Sequence, residues 1–130
     1  GKFYSKSDME KYNIMLQVYP LWNNSKGEVD KVLKMAQEQG LDYSDWIFQI
    51  ADEPTGTTAA ALKKYTDIGK MIRATDPKAQ IMMNPGEAAR AATFKILQPY
   101  VDMWNPYQLH LTYGPSGRDY LKKPWIWYAT

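Results

Sequence analysis

The chain has no cysteine among its 130 residues and a single histidine, His110. The first absence excludes a disulfide framework and any thiolate metal site. It leaves the compartment open, because large exported enzymes often lack disulfides. No metal ion and no cofactor are expected. No apolar run approaches the ~18 residues that a bilayer span needs, so no membrane partner is expected. Charge of one sign is also missing. There are 16 basic and 14 acidic residues, for a net charge of +2. Lys31, Lys34, Lys63, Lys64, Arg73, Arg90 and Lys122 are scattered along the chain. That is the pattern of a solvated helical surface, not of a nucleic-acid footprint. The opening GKFYSKSDME lacks the apolar core of a signal peptide. Localisation is therefore left unassigned, with a secreted or periplasmic parent as one expectation.

What is present is the material of a globular domain. Hydrophobic residues make up 45 %, enough to build a core. The length suits one domain over residues 1–130. Ser7 and Glu10 have the spacing of a capping box and open a short helix at 7–12. NIMLQVYP, 13–20, reads as a strand ended by Pro20. Ser25 and Glu28 repeat the capping spacing. Val29, Val32, Leu33 and Ala36 then recur at helical intervals until Gly40. DWIFQIA is a strand whose apolar run shows little alternation, as expected when both faces are covered. A helix over about 57–75 follows, with Ala61, Tyr65, Ile68 and Ile72 as its buried stripe. AQIMMNP is the third strand. Asn84, Pro85 and Glu87 together read as a helix start, with Asn84 as cap. That helix carries Ala89, Ala92, Ile96 and Leu97. YVDMWNP is a fourth strand, 108–123 a loop, and PWIWYAT a fifth strand.

This alternation implies an α/β fold with parallel strands and crossover helices. A complete eight-fold barrel needs about 250 residues. The expected architecture is thus a partial (β/α) TIM-type barrel of about five parallel strands, a fragment of a full barrel. A small open sheet is the alternative. A half-barrel would expose two sheet edges and an apolar interior. The remainder of the barrel, or self-association, is expected to cover them.

Parallel α/β proteins bind ligands at the carboxyl ends of their strands. The DWIFQIA strand ends on Asp52 and Glu53. The other strand ends carry Trp22, Asn84, Trp104, Asn105, Tyr107, Trp127 and Tyr128. A rim of acids, amides and large aromatics suits a sugar. Rings stack on pyranose faces, amides and carboxylates take hydroxyls, and carboxyl groups cleave the glycosidic bond. Taken singly, each residue has a plainer reading. Asp52 and Glu53 could begin a helix, where negative charge is favoured. The tryptophans could be core, Asn84 a cap, and His110 a surface residue.

A retaining enzyme with two carboxyl groups sets them about 5 to 5.5 Å apart on different strands. The last strand supplies no carboxylate, Asp102 is mid-strand, and Asp119 lies in a loop. Adjacent Asp52 and Glu53 fit substrate-assisted hydrolysis instead. In that scheme the sugar's 2-acetamido group is the nucleophile. Asp52 orients it, and Glu53 keeps a proton for the leaving oxygen.

ADEP at a strand end, a helix closing on ATDP, then IMMNP, VDMWNP and KKPWIWYAT resemble the catalytic barrel of glycoside hydrolase family 123. They also resemble related uncharacterised bacterial barrel domains with the same Asp-Glu-Pro motif. The likeness covers about residues 45–130. It implies a β-N-acetylgalactosaminidase working by substrate assistance. Asp52 would be the stabiliser, Glu53 the general acid/base, and Trp104 with 125–128 the pocket walls. Many barrel glycosidases carry Asn-Glu-Pro here and a second glutamate later. This chain has Asp for that Asn, and the one glutamate after Glu53 is Glu87, within the expected helix start. The first part of the barrel and its final unit are missing from the match. The expected function is therefore hydrolysis of a 2-acetamido sugar, with carbohydrate as the partner. A non-catalytic carbohydrate-binding or structural barrel piece is the alternative, and a glycosidase of the Asn-Glu-Pro type with a lost or external nucleophile a third.

Overall fold

A computed structural model describes residues 5–12, 15–18, 26–86 and 89–105, with the backbone alone at 16–18. Within these the chain is mixed α/β. Its elements run α1 (Lys6–Tyr12), β1 (Leu16–Val18), α2 (Lys26–Glu38), β2 (Trp46–Asp52), α3 (Ala59–Thr75), β3 (Ile81–Asn84), α4 (Ala91–Leu97) and β4 (Met103–Trp104). A 3-10 turn, Gln98–Tyr100, leads α4 into β4. The four strands form one parallel sheet in the order β1-β2-β3-β4, so each is bonded to its neighbour in sequence. The fifth expected strand, 124–130, lies outside the described residues.

All three crossover helices share one face of the sheet. Val29 and Ala36 of α2, Leu62, Ile68 and Ile72 of α3, and Phe94 and Leu97 of α4 form one cluster with Trp46, Phe48, Ile81, Met83 and Trp104. Ile47 and Met82 are also fully buried but stand outside that cluster. They belong to the opposite face, as alternation along a strand requires. The expectation of an exposed apolar interior is therefore not met at these positions. Ile47, Gln49 and Met82 are as buried as the helix side.

The helix ends have identifiable causes. At the end of α2, Gly40 takes φ 66°, its N–H donates to Gln37 O, and Leu41 N–H donates to Ala36 O. This is a Schellman stop, and it matches the sequence reading of Gly40. Thr58 caps α3 by accepting from Ala61 N–H at 3.2 Å. Its buried stripe is Leu62, Ile68, Gly69 and Ile72, with Ala61 exposed and Tyr65 half-buried. The stripe thus starts one residue later than the periodicity suggested. At α1 the cap is Ser5 rather than Ser7. Ser5 Oγ accepts from Asp8 N–H and donates to Asp8 Oδ2.

The largest local departure is at α4. Asn84 does not cap a helix beginning at Pro85. The helix starts at Ala91 with Arg90 as its cap residue, and Thr93 Oγ1 accepts from Arg90 N–H. Asn84 Oδ1 accepts instead from Gly86 N–H two residues on, forming an Asx turn.

Where β3 and β4 begin, α3 is clamped to the sheet. Arg73 donates to Ala79 O at 2.8 Å and pairs with Asp102, whose Oδ2 also accepts from Ile81 N–H at 2.8 Å. Asp102 thus aligns two strands at their amino ends, far from any strand-end rim. Nearby, α2, the loop before β2 and the end of α3 line a half-open cavity of about 320 Å³, with Leu33, Leu41, Tyr43, Trp46 and Asp76 on its walls.

Candidate functional site

Strict alternation along β2 would send Asp52 to the same side as Phe48 and Ile50, into the helix layer. The structure avoids this with a bulge. Gln49 pairs with Met82, and Asp52 pairs with Asn84. Three steps on β2 therefore match two on β3. Ile50 and Ala51 both enter the helix-side core, and Asp52 emerges on the opposite face. A bulge leaves a backbone group without its ladder partner. Here Gln49 Nε2 donates to Ala51 O at 3.4 Å, a long bond that supports the kink.

Asn84 joins the two strand ends. Its Nδ2 donates to Asp52 Oδ1 at 2.9 Å, and its backbone O accepts from Glu53 N–H at 3.0 Å. Asp52 Oδ2 has no partner among the described residues. Glu53 adopts φ 49°, a left-handed backbone that few non-glycine residues take. Gly86 holds it there. A Cβ on Gly86 would lie 2.6 Å from Glu53 Cβ and 2.7 Å from Glu53 Cα. Further along the loop, Pro54 is buried, and the fully buried Thr93 donates to Gly56 O at 3.1 Å. The segment after β2 is thus tied to β3, α3 and α4. It presents both acids on a fixed backbone, and both side chains are exposed.

The expected sugar-site residues divide into three groups. Asp52, Glu53 and Asn84 come together as described. Asn105 follows them. Met82 pairs with Met103, Met83 with Trp104, and Asn105 N–H donates to Met83 O. Carrying that register one residue further sets Asn105 beside Asn84. Trp104 does not join. It is 0 % exposed and packs edge-on against Phe94 with ring centroids 5.1 Å apart. Its place in the strand sends it into the helix layer, so it is a core residue and not a wall beside the acids. Trp22, Tyr107, Trp127, Tyr128 and His110 lie outside the described residues.

No protein-family model, curated protein or solved structure matches this chain.

Sequence reasoning missed Gln49 and Gly86. The signal for Gln49 was in plain view, since an amide amid WIFQIA must be buried with its polar atoms. Gly86 falls inside the expected helix start between Pro85 and Glu87, whereas its lack of a side chain leaves room for Glu53. Among the described residues no group of three or more His, Cys, Asp and Glu could hold a metal ion. No helix among them is long and apolar enough to cross a membrane. Chemically, the arrangement offers one carboxylate with an oxygen unpartnered among the described residues, a second acid on a tied-down turn, and amides from two adjacent strands.

Proposed function

We propose that the chain is a segment of a (β/α) barrel glycoside hydrolase acting on a 2-acetamido sugar by substrate-assisted, retaining hydrolysis. Asp52 orients the acetamido group, and Glu53 gives its proton to the leaving oxygen. The carrying observation is the bulge that turns Asp52, bonded to Asn84, onto the face away from the helices. In a (β/α) barrel that face would be the interior, and the carboxyl ends of the strands are where such enzymes bind ligands. Sequential strand order with every crossover helix on one face supports the barrel sector, because a doubly wound sheet reverses its order. The left-handed backbone at Glu53, held by Gly86, fits the storage of strain at functional positions. Strands β1 and β4 are the outer strands among the described residues, in keeping with a partner that completes the sheet, either the rest of a barrel or a second copy.

Two facts favour a second reading, a carbohydrate-binding or structural barrel piece without turnover. Both acids are exposed, and Trp104 faces away from them. One experiment separates the readings. The protein is incubated with chromogenic N-acetylgalactosaminide, N-acetylglucosaminide and galactoside. Cleavage of the acetamido sugars alone, abolished by Glu53→Gln and by Asp52→Ala, supports the first. Sugar binding without turnover supports the second. Turnover of the plain galactoside refutes substrate assistance.

A further inference from the structure

Three buried polar atoms have no hydrogen-bond partner among the described residues: Gln49 Oε1, Asn105 Oδ1 and Trp104 Nε1. The indole sits inside the helix-side core. The two amides belong to the other face, the one that carries Asp52 and Asn84. Gln49 pairs with Met82, and Met82 with Met103. Asn84 and Asn105 each stand two residues beyond Met82 and Met103. The register thus sets a row of Asp52, Asn84 and Asn105 at the strand ends, with Gln49 one row deeper.

A buried amide oxygen without a donor costs about 1 to 3 kcal/mol. Gln49 is 2 % exposed and Asn105 is 7 % exposed, so neither oxygen has that cost relieved by bulk water. Leucine or methionine would fill the same space without it. The Gln49 amide is oriented by its own contact, Nε2 toward Ala51 O, which leaves Oε1 as the atom in want of a donor. Both orphan atoms are acceptors, and the neighbouring charge is the Asp52 carboxylate. An anion would be repelled and an apolar group would leave the oxygens unmet. A ligand rich in O–H or N–H donors meets both, and the carbohydrate reading of the site makes that ligand a neutral sugar.

We propose that Gln49 and Asn105 are ligand-contacting acceptors, a floor beneath the acid pair that receives hydroxyl or amide N–H donors of the bound sugar. This rests on the carbohydrate reading of the site and names the ligand groups that the floor selects. An internal water would satisfy the same oxygens, and the test separates the two.

Binding of N-acetylgalactosamine is measured by calorimetry on the full chain carrying Glu53→Gln, so that turnover does not interfere. Gln49→Met, Asn105→Leu and Asn105→Asp are added one at a time, and thermal melting is recorded for each. Loss of one hydrogen bond to the sugar weakens binding about tenfold. The expected result is that loss for Gln49→Met and Asn105→Leu, with melting temperature held or raised. Asn105→Asp keeps an acceptor oxygen at that position and retains affinity. Should Gln49→Met not fold, the Asn105 pair decides alone. Affinity within twofold of the parent overturns the proposal. So does a fall in melting temperature with affinity intact, the mark of an internal water. So does a parent that binds no sugar. The catalytic reading is judged separately by Glu53-dependent turnover. Binding that depends on Gln49 without turnover sinks that reading alone. Turnover with unchanged affinity sinks this inference alone.

Discussion

Replacing Gly86 by alanine tests whether the acid pair is held by its surroundings. Gly86 has φ 68°, and Gly40 has nearly the same angle, φ 66°. The two differ in what a methyl group would meet. At Gly40 nothing lies within 4 Å. At Gly86 the new carbon would fall 2.6 Å from Glu53 Cβ, 2.7 Å from its Cα and 2.9 Å from its Cγ. Gly40→Ala therefore carries only the left-handed backbone cost, about 1 kcal/mol. Gly86→Ala carries the same cost plus overpacking against backbone that cannot swing aside, about 1 to 3 kcal/mol more. The expected totals are about 1 and about 2 to 4 kcal/mol. For a chain of this size that is roughly 4 °C against roughly 8 to 16 °C in melting temperature. Urea titrations of both variants and the parent supply the free energies, with the slope checked for constancy. Equal destabilisation by the two substitutions would refute the reasoning. It would mean that Glu53 moves freely and that Gly86 does not fix it. If the gap is seen, Gly86→Ala should also reduce any turnover or sugar binding, while Gly40→Ala leaves both unchanged.

Removal of the Asp102 carboxylate by Asp102→Ala strips the buried Ile81 N–H of its acceptor and Arg73 of its ion partner. The expected loss is about 1 to 3 kcal/mol by urea unfolding, mostly from the unpaired N–H. Asp102→Asn keeps an acceptor oxygen and should lose less, since the half-exposed ion pair itself contributes little. At Tyr43 the hydroxyl donates to Asp76 Oδ2 at 2.6 Å. That bond, followed by burial and the nearby Asp76 charge, raises the phenol above its ordinary range. The folded value lies above the unfolded one, so the contribution to stability is complete below the ordinary tyrosine range and is lost as pH rises through the folded value. An absorbance titration at alkaline pH should show one late-titrating tyrosine missing from Tyr43→Phe. Asp76→Asn should bring it back toward the ordinary value.

Several parts of this fold were legible because they depend on local physics. The run WIFQIA is too apolar for an exposed strand, and β2 is buried along Trp46–Ala51. Gly40 stops α2 because the left-handed stop geometry favours glycine. The breaker Asp76-Pro77 ends α3, and Asp76 N–H still reaches Ile72 O. The misreadings came from residues with two available partners. Asn84 has the chemistry of a helix cap, but its amide is taken by Asp52 on the next strand and its oxygen by Gly86. Trp104 follows a strand pattern that fits either face. Only packing against Phe94 settles which one.

The sequence by itself determined the alternation of strands and helices, the parallel sheet and the clustering of Asp52, Glu53, Asn84 and Asn105 at strand ends. Those follow from hydrophobic period and from chain breakers, which act over a few residues. Tertiary structure alone decided which way each of these side chains faces. One extra residue in β2 turns Asp52 from the helix layer to the other face, and no local pattern encodes that shift. It depends on register against β3, where Asn84 and Gly86, more than thirty residues away, hold the acids.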